Sequence, residues 1–160
     1  MEIVIILGLI FFNGILSMSE IAMVSARKSR LETAAKKGSK TAKTALRLAN
    51  EPDRFLSTIQ IGITLIGILT GLYSGEALAG DLARWLETIG IPQAHSLTLA
   101  KGIIVILVTY LTLILGELVP KHLGMNAPEK IARLIARPME VLSKIASPFV
   151  WLLSASTQAV

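Results

Sequence analysis

Apolar residues run almost without interruption from Met1 to Val24, from Phe55 to Tyr73 and from Gly102 to Val119, and the segments between them carry most of the charge. Each run approaches the ~20 residues that a helix needs to cross the roughly 30 Å hydrocarbon layer of a bilayer. The pattern therefore predicts three membrane-spanning helices, residues 1–24, 55–73 and 102–119. The connecting segments have their own periodicity. Leu31 to Ala49 is rich in Ala, Lys and Leu, with Gly38-Ser39 in the middle, and predicts two short helices before Asn50-Glu51-Pro52-Asp53 breaks the pattern. The stretch "GDLARWLETIGIP", Gly80 to Pro92, predicts a short amphipathic helix with Leu82, Trp85, Leu86 and Ile89 on a lipid-facing side. After the third span, residues 138–153 place Met139, Leu142, Ile145, Ala146, Phe149 and Leu152 at helical spacing, with Trp151 as an interfacial anchor. Glu140, Lys144 and Pro148 interrupt that stretch, so it reads as a belt helix along one leaflet rather than a fourth crossing.

Composition agrees with a membrane protein. The chain is 52% hydrophobic and 17% charged, with a mean hydropathy of +0.64, too apolar for an ordinary soluble domain. Met1-Glu2 gives the first run an acidic start with no basic flank or small-residue cleavage pattern, so it is a retained helix rather than a signal peptide. Charge then sets the expected topology. Nine Lys or Arg lie between Arg27 and Arg54, against Glu32, Glu51 and Asp53, whereas Gly71 to Ala100 holds Arg84 alone. The excess of Lys and Arg places the first loop in the cytoplasm, the amino terminus outside and the carboxyl-terminal region inside. The net charge of +5 accordingly describes a cytoplasmic rim near anionic lipid, and nucleic acid is a poor partner. There is no cysteine, and His95 and His122 lie outside the apolar cores with no partner at ligand spacing. No nucleophile triad, phosphate loop or zinc motif is present, so an enzyme is not expected.

The polar residues inside the spans carry the candidate chemistry. Asn13, Ser17 and Glu20 are spaced i, i+4, i+7 and share one face of the first helix. Gln60, Thr64, Gly67 and Gly71 repeat that spacing in the second span, with Gly62 a further small residue; Thr109, Thr112 and Gly116 share a face of the third, which ends in Glu117. Small and hydroxyl stripes are how membrane helices pack, and the Gly and Thr residues are read that way. The two carboxylates differ, because an ionised side chain at the centre of a span costs about 2.5 to 3.5 kcal/mol on insertion scales and is retained where it has a partner or a cavity. One expectation is that Ser17, Glu20 and Glu117 enclose a cation-binding cavity. Pro120 supports it, since proline removes a helical hydrogen bond and leaves a carbonyl near Gly116 free to act as an oxygen ligand. The other is that both carboxylates snorkel to the interface and pair with Arg27, Lys28 or Lys121.

At these residues the chain resembles a known family. "SMSEIAMVSARKSRL", "TIQIGITLIG" and "GELVPKHLGMNAPEKIA" are similar to the signature segments of the transmembrane domain of the CorC/CNNM family, associated with export of magnesium and other divalent cations. The resemblance covers nearly the whole chain. It implies an all-α integral membrane fold of three transmembrane helices, a cytoplasmic pair of short helices and a juxtamembrane belt, assembled as a homodimer. It places Ser17 and Glu20 on the ion-site face of the first helix, Gly62 at the broken part of the second, and Glu117 with Pro120 and Lys121 in the third. Family members usually continue into a cytoplasmic CBS-pair module, which is absent from these 160 residues and would be a partner in a full-length protein. One departure stands out. Where many magnesium-handling members read Ile-Gly-Asn-Asn and then a further Asn, this chain has Ile61-Gly62-Ile63-Thr64 and then Gly67. Magnesium demands near-octahedral oxygen coordination at about 2.0 to 2.1 Å, so losing amide oxygens leaves water in the shell or changes the substrate.

The expected function is therefore a cell-membrane cation transporter domain taking Mg2+ or another divalent cation from the cytoplasm, with Na+ as a candidate coupling ion. Its site is expected at Ser17, Glu20, Gly62, Thr64 and Glu117, supported by Asn13, Gly116, Pro120 and Lys121. The alternative is an organic polycation such as a polyamine, which a partly apolar pocket lined by carboxylates would also suit, its methylenes meeting Ile63 and Leu65. A third reading is a non-transporting scaffold or cation sensor.

Overall fold

The computed structural model describes residues 1–158, and among them every regular element is a helix. The order is α1 (Glu2–Ser25), α2 (Lys28–Lys36), α3 (Lys40–Asn50), α4 (Pro52–Ala77), α5 (Ala79–Thr88), α6 (Gln93–Leu113), a π-helical turn (Ile114–Leu118), α7 (Val119–Asn126) and α8 (Pro128–Gln158). Three segments are long and apolar enough to cross a membrane: Glu2–Ser25, the stretch beginning at Pro52, and the stretch from Gln93 through the π turn to Asn126.

Local chemistry explains the breaks. Ala26 and Arg27 adopt extended backbone between α1 and α2. Gly38, at a φ of 92°, supplies the left-handed residue that turns α2 into α3. Ser39 then caps α3 by accepting the Ala42 N–H. Pro52 opens α4 in the first turn, where its missing N–H costs nothing.

Helix α1 is the axis of the bundle and packs against α4, α7, α8 and the π turn. Its inward residues Leu16 and Met23 join Leu31, Phe55, Ile59, Ala132, Ile135 and Met139 in the main core. The other faces of the spans are bare hydrocarbon: Phe11, Leu72 and Ile106 are all more than half exposed, as side chains meant for lipid must be. The stripe Gln60, Thr64, Gly67 and Gly71 also lies on an exposed face of α4.

Two amphipathic helices depart from expectation. In α5 Trp85 and Ile89 are exposed, but Leu86 is buried against Ala83 and Ala100, so its side chain packs on α6 instead of facing lipid. A short helix beside a span gains more by burying one leucine on its neighbour than by leaving all four apolar residues outside. Helix α8 starts at Pro128 and carries Pro138 and Pro148 within it. Its Ala132, Ile135, Ala136, Met139 and Ala146 are buried, whereas Leu134, Val141, Ile145, Phe149 and Leu152 form an exposed apolar face. Glu140, which interrupts the apolar pattern, accepts ion pairs from Arg47 of α3 at 2.7 Å and from Lys144 at 3.6 Å. Glu129 pairs with Arg30 of α2 at 3.7 Å. These two acidic residues fasten the α2–α3 hairpin to α8, a role that no periodicity in the sequence announces.

Candidate cation site

The site grows from one missing N–H. Pro120 cannot donate to the carbonyl four residues earlier, which belongs to Gly116. The chain responds by widening into the π turn at 114–118. The released carbonyl finds a donor on another helix: Asn13 Nδ2 of α1 donates to Gly116 O at 3.0 Å. The expected free carbonyl ligand is therefore already satisfied. In a membrane an orphaned carbonyl is costly, and a buried amide one helix away is the nearest remedy.

Glycines let the two helices approach closely enough for that bond. A Cβ on Gly14 would lie 2.9 Å from Pro120 Cγ and 3.0 Å from the Leu115 carbonyl, and a Cβ on Gly116 would lie 3.2 Å from Asn13 Nδ2. Further along, a Cβ on Gly124 would sit 2.4 Å from Ile21 Cγ2 and 2.8 Å from the Met18 carbonyl. Gly14 and Gly124 thus bracket the crossing of α1 with the π turn and α7, with backbone meeting backbone.

One face of α1 then presents the predicted polar residues in sequence. Asn13 is 4% exposed and Ser17 1%. Asn13 Oδ1 and Ser17 Oγ, one turn apart, are the buried side-chain oxygens without a hydrogen-bond partner among the described residues. Each is an acceptor in need of a donor or a cation. Ser19, by contrast, turns back to the Ile15 carbonyl at 2.6 Å and takes no part.

Beyond Ser17 the face ends in charge. Lys121 Nζ of α7 donates to Glu117 Oε1 at 2.8 Å and lies 3.7 Å from Glu20 Oε2 of α1. Two carboxylates from different spans thus converge on one ammonium, leaving a formal charge of −1 for the three groups (−1, −1 and +1). Their side chains are 27% (Glu20), 41% (Glu117) and 33% (Lys121) exposed, so the cluster is partly open to its surroundings rather than sealed in a core. Among the described residues the ion pairs of both carboxylates go to Lys121, not to Arg27 or Lys28. Glu129 instead pairs with Arg30 and accepts the Arg27 backbone N–H.

The second span contributes less than the sequence implied. Gly62 faces α1, where a Cβ would come 2.8 Å from Leu16 Cδ1. Thr64, two residues or about 200° around the helix, lies on the exposed side with Gly67. Asn13 meets Gly116 through a hydrogen bond and Lys121 meets Glu20 and Glu117 through ion pairs, with Ser17 between Asn13 and Glu20 on the same face of α1 and Pro120 packed near Gly14; Thr64 stands outside these contacts. No group of three or more His, Cys, Asp or Glu converges among the described residues. Any cation held here would draw on two carboxylates, neutral oxygens and water.

Comparison with known proteins adds an independent line. The model of the cyclin M transmembrane N-terminal domain, CNNM, matches residues 4–160. A UPF0053 protein of Synechocystis sp. is 48% identical over 160 residues, all of this chain and 36% of that protein. The UPF0053 protein YhdT of Bacillus subtilis is 31% identical over 157 residues, 98% of this chain and 34% of its own length. The polyamine export protein of Escherichia coli K12 is 32% identical over 150 residues, 94% of this chain and 33% of that protein. The chain spans about a third of the length of these curated relatives.

Proposed function

The chain belongs to the CNNM family of cyclin M transmembrane domains, and from that premise we propose that it is a membrane cation transporter domain that takes its cargo from the cytoplasm through the mouth between α1 and α7. The observation that carries the reading is the convergence of Glu20 and Glu117, from two different spans, on one ammonium, with the unsatisfied Ser17 hydroxyl on the same face of α1 as Glu20. Carboxylates in a span are retained where they have a partner or a cavity, and such residues mark ion and substrate pathways. A divalent cation is the first cargo class. Magnesium keeps several waters when it binds, which suits a mouth offering two carboxylates and neutral oxygens in place of the amides missing at Ile63, Thr64 and Gly67. Na+ is the candidate coupling ion.

A second reading has specific support. The carboxylates already hold an alkylammonium, that of Lys121, and one relative is named a polyamine export protein. A diammonium chain such as putrescine would place one such group in the same position. Counterflow in proteoliposomes loaded with Mg2+, Mn2+ or putrescine separates the readings: the cargo is the cation whose internal pool accelerates uptake of its own tracer. No counterflow with any of them would leave the scaffold or sensor reading in place of transport.

Binding gives a finer test. A ligand that binds only the folded state stabilises it by RT ln(1 + [L]/Kd), about 2.7 kcal/mol at a hundredfold excess over Kd. The true cargo should raise the thermal midpoint accordingly. Glu20→Gln should nearly remove that shift and Ser17→Ala should reduce it; variants that respond like the unaltered protein would place the site elsewhere.

The family reading also includes a homodimer in the bilayer, acting with a cytoplasmic CBS-pair region in the full-length protein. The exposed α4 stripe of Gln60, Thr64, Gly67 and Gly71 is the proposed twofold surface, since small residues let helices approach closely in lipid. A Cβ at Gly67 meets nothing within 4 Å in a single chain, so Gly67→Leu should leave the fold intact and shift the monomer–dimer balance towards monomer in mild detergent. Unchanged dimerisation, read by cross-linking in lipid, would move the interface to another face.

A further inference from the structure

Lys121 stands where a cargo cation would stand. Its Nζ is 2.8 Å from Glu117 Oε1 on the same helical segment and 3.7 Å from Glu20 Oε2 across the gap to α1. An ammonium is a compact point charge with three donors and no acceptor, so in this position it does the electrostatic work of a bound cation, bridging two spans and cancelling one of two negative charges. We propose that Lys121 is a tethered counter-cation: its ammonium fills the cation position of the empty carrier, and a cargo binds by displacing it from Glu20 and Glu117. The inference rests on the cation-carrier reading given above.

The geometry supplies the means of release. The lysine side chain is one-third exposed, on a four-carbon stem with freely rotating bonds, so its head can swing to water while α7 stays in place. The hold on Glu117 is close, whereas the hold on Glu20 is a longer contact between spans, so the inter-span link is the weaker of the two. Exchange also selects by charge. A monovalent cation that replaces the ammonium leaves the carboxylate pair at −1, as before. A doubly charged cargo brings the pair to neutrality, the arithmetic being −1, −1 and +2. The device therefore favours a divalent metal ion or a diammonium chain over a single positive charge, and it spares the empty carrier two bare carboxylates.

The test compares cation binding in purified full-length protein carrying Lys121→Met, Lys121→Arg or Glu117→Gln, with Mg2+ and putrescine as separate probes. Removing the competing ammonium in Lys121→Met should lower the Kd of the cargo about tenfold, the order expected for losing one charged hydrogen bond from the competing state. Lys121→Arg, which keeps the charge, should bind close to the unaltered protein. A second measurement needs no variant: acylation of the Lys121 amine, read by mass spectrometry, should rise severalfold when the cargo saturates the site. If the unaltered protein binds cargo through Glu117 while Lys121→Met binds no more tightly and Lys121 acylation does not rise, Lys121 is only a structural tie and the inference falls alone. If neither probe binds the unaltered protein, the carrier reading falls and the inference falls with it.

Discussion

Glu117→Gln should reduce cation flux in proteoliposomes to the background of empty vesicles while the protein remains folded. The neutral amide keeps an oxygen at the mouth and the length of the side chain, so α7 can still pack on α1 through Gly124 and Pro120. The charge is what disappears. With Glu20 left as the single carboxylate beside Lys121, the three groups go from a formal −1 to 0, and a cation arriving there meets no net attraction. The loss of a charged hydrogen-bond partner is of order 1.5 to 3 kcal/mol before any gain from the low dielectric of the span, or about a tenfold to hundredfold weakening of cargo binding. Flux at the level of the unaltered protein would reduce Glu117 to an interfacial carboxylate paired with its neighbour, and retained far-UV circular dichroism is the control for folding.

The largest effect on stability should come from Gly124→Ala. The new methyl would sit 2.4 Å from Ile21 Cγ2 and 2.8 Å from the Met18 carbonyl. Ile21 can turn its side chain, but the Met18 carbonyl belongs to the backbone of α1 and cannot yield without moving the helix. Overpacking of this kind costs about 1 to 3 kcal/mol, against the roughly 1 kcal/mol of helix propensity that alanine regains over glycine. The net result should be a lower thermal midpoint, and Gly124→Leu should lower it further. Gly102→Ala in α6, where a Cβ meets nothing within 4 Å, is the internal control and should leave the midpoint unchanged or slightly raised. Equal midpoints for Gly102→Ala and Gly124→Ala would mean that α1 and α7 do not approach as closely as these distances require. A second consequence follows from the same crossing: since Gly124 sets the approach of α7 to α1, Gly124→Ala should also move Glu117 away from Glu20 and weaken cargo binding even in the folded fraction.

Much of this arrangement was legible from spacing alone. Three apolar runs of spanning length give three long helices because a helix that buries its backbone hydrogen bonds internally is the economical way through lipid. The i, i+4, i+7 spacing of Asn13, Ser17 and Glu20 fixed them to one face of α1, since that follows from helical geometry whatever the neighbours are. Pro120 marked the point where the third segment would break its hydrogen-bond ladder, and the π turn at 114–118 lies immediately before it.

What the spacing could not show is which faces meet. The destination of the Gly116 carbonyl depended on Asn13, 103 residues away in sequence, and no local pattern connects the two. Thr64 shares the second span with Gly62, yet only the packing of α4 on Leu16 decides that Gly62 faces α1 and Thr64 does not. Leu86 had the spacing of a lipid-facing residue and was claimed by α6, while Glu140 had the look of an interruption and became the anchor of α3. Lys121 was one of several cations within reach of Glu20 and Glu117 in the sequence, and the close approach of α7 to α1 at Gly124 selected it. The sequence by itself determined the three apolar segments of spanning length and the polar residues that share a face of each, because these depend on helical period and on the cost of charge in lipid. The tertiary structure decided the partners, because a hydrogen bond or an ion pair depends on distances of about 3 to 4 Å between helices, which are set by glycines at a crossing and not by the residues that form the bond.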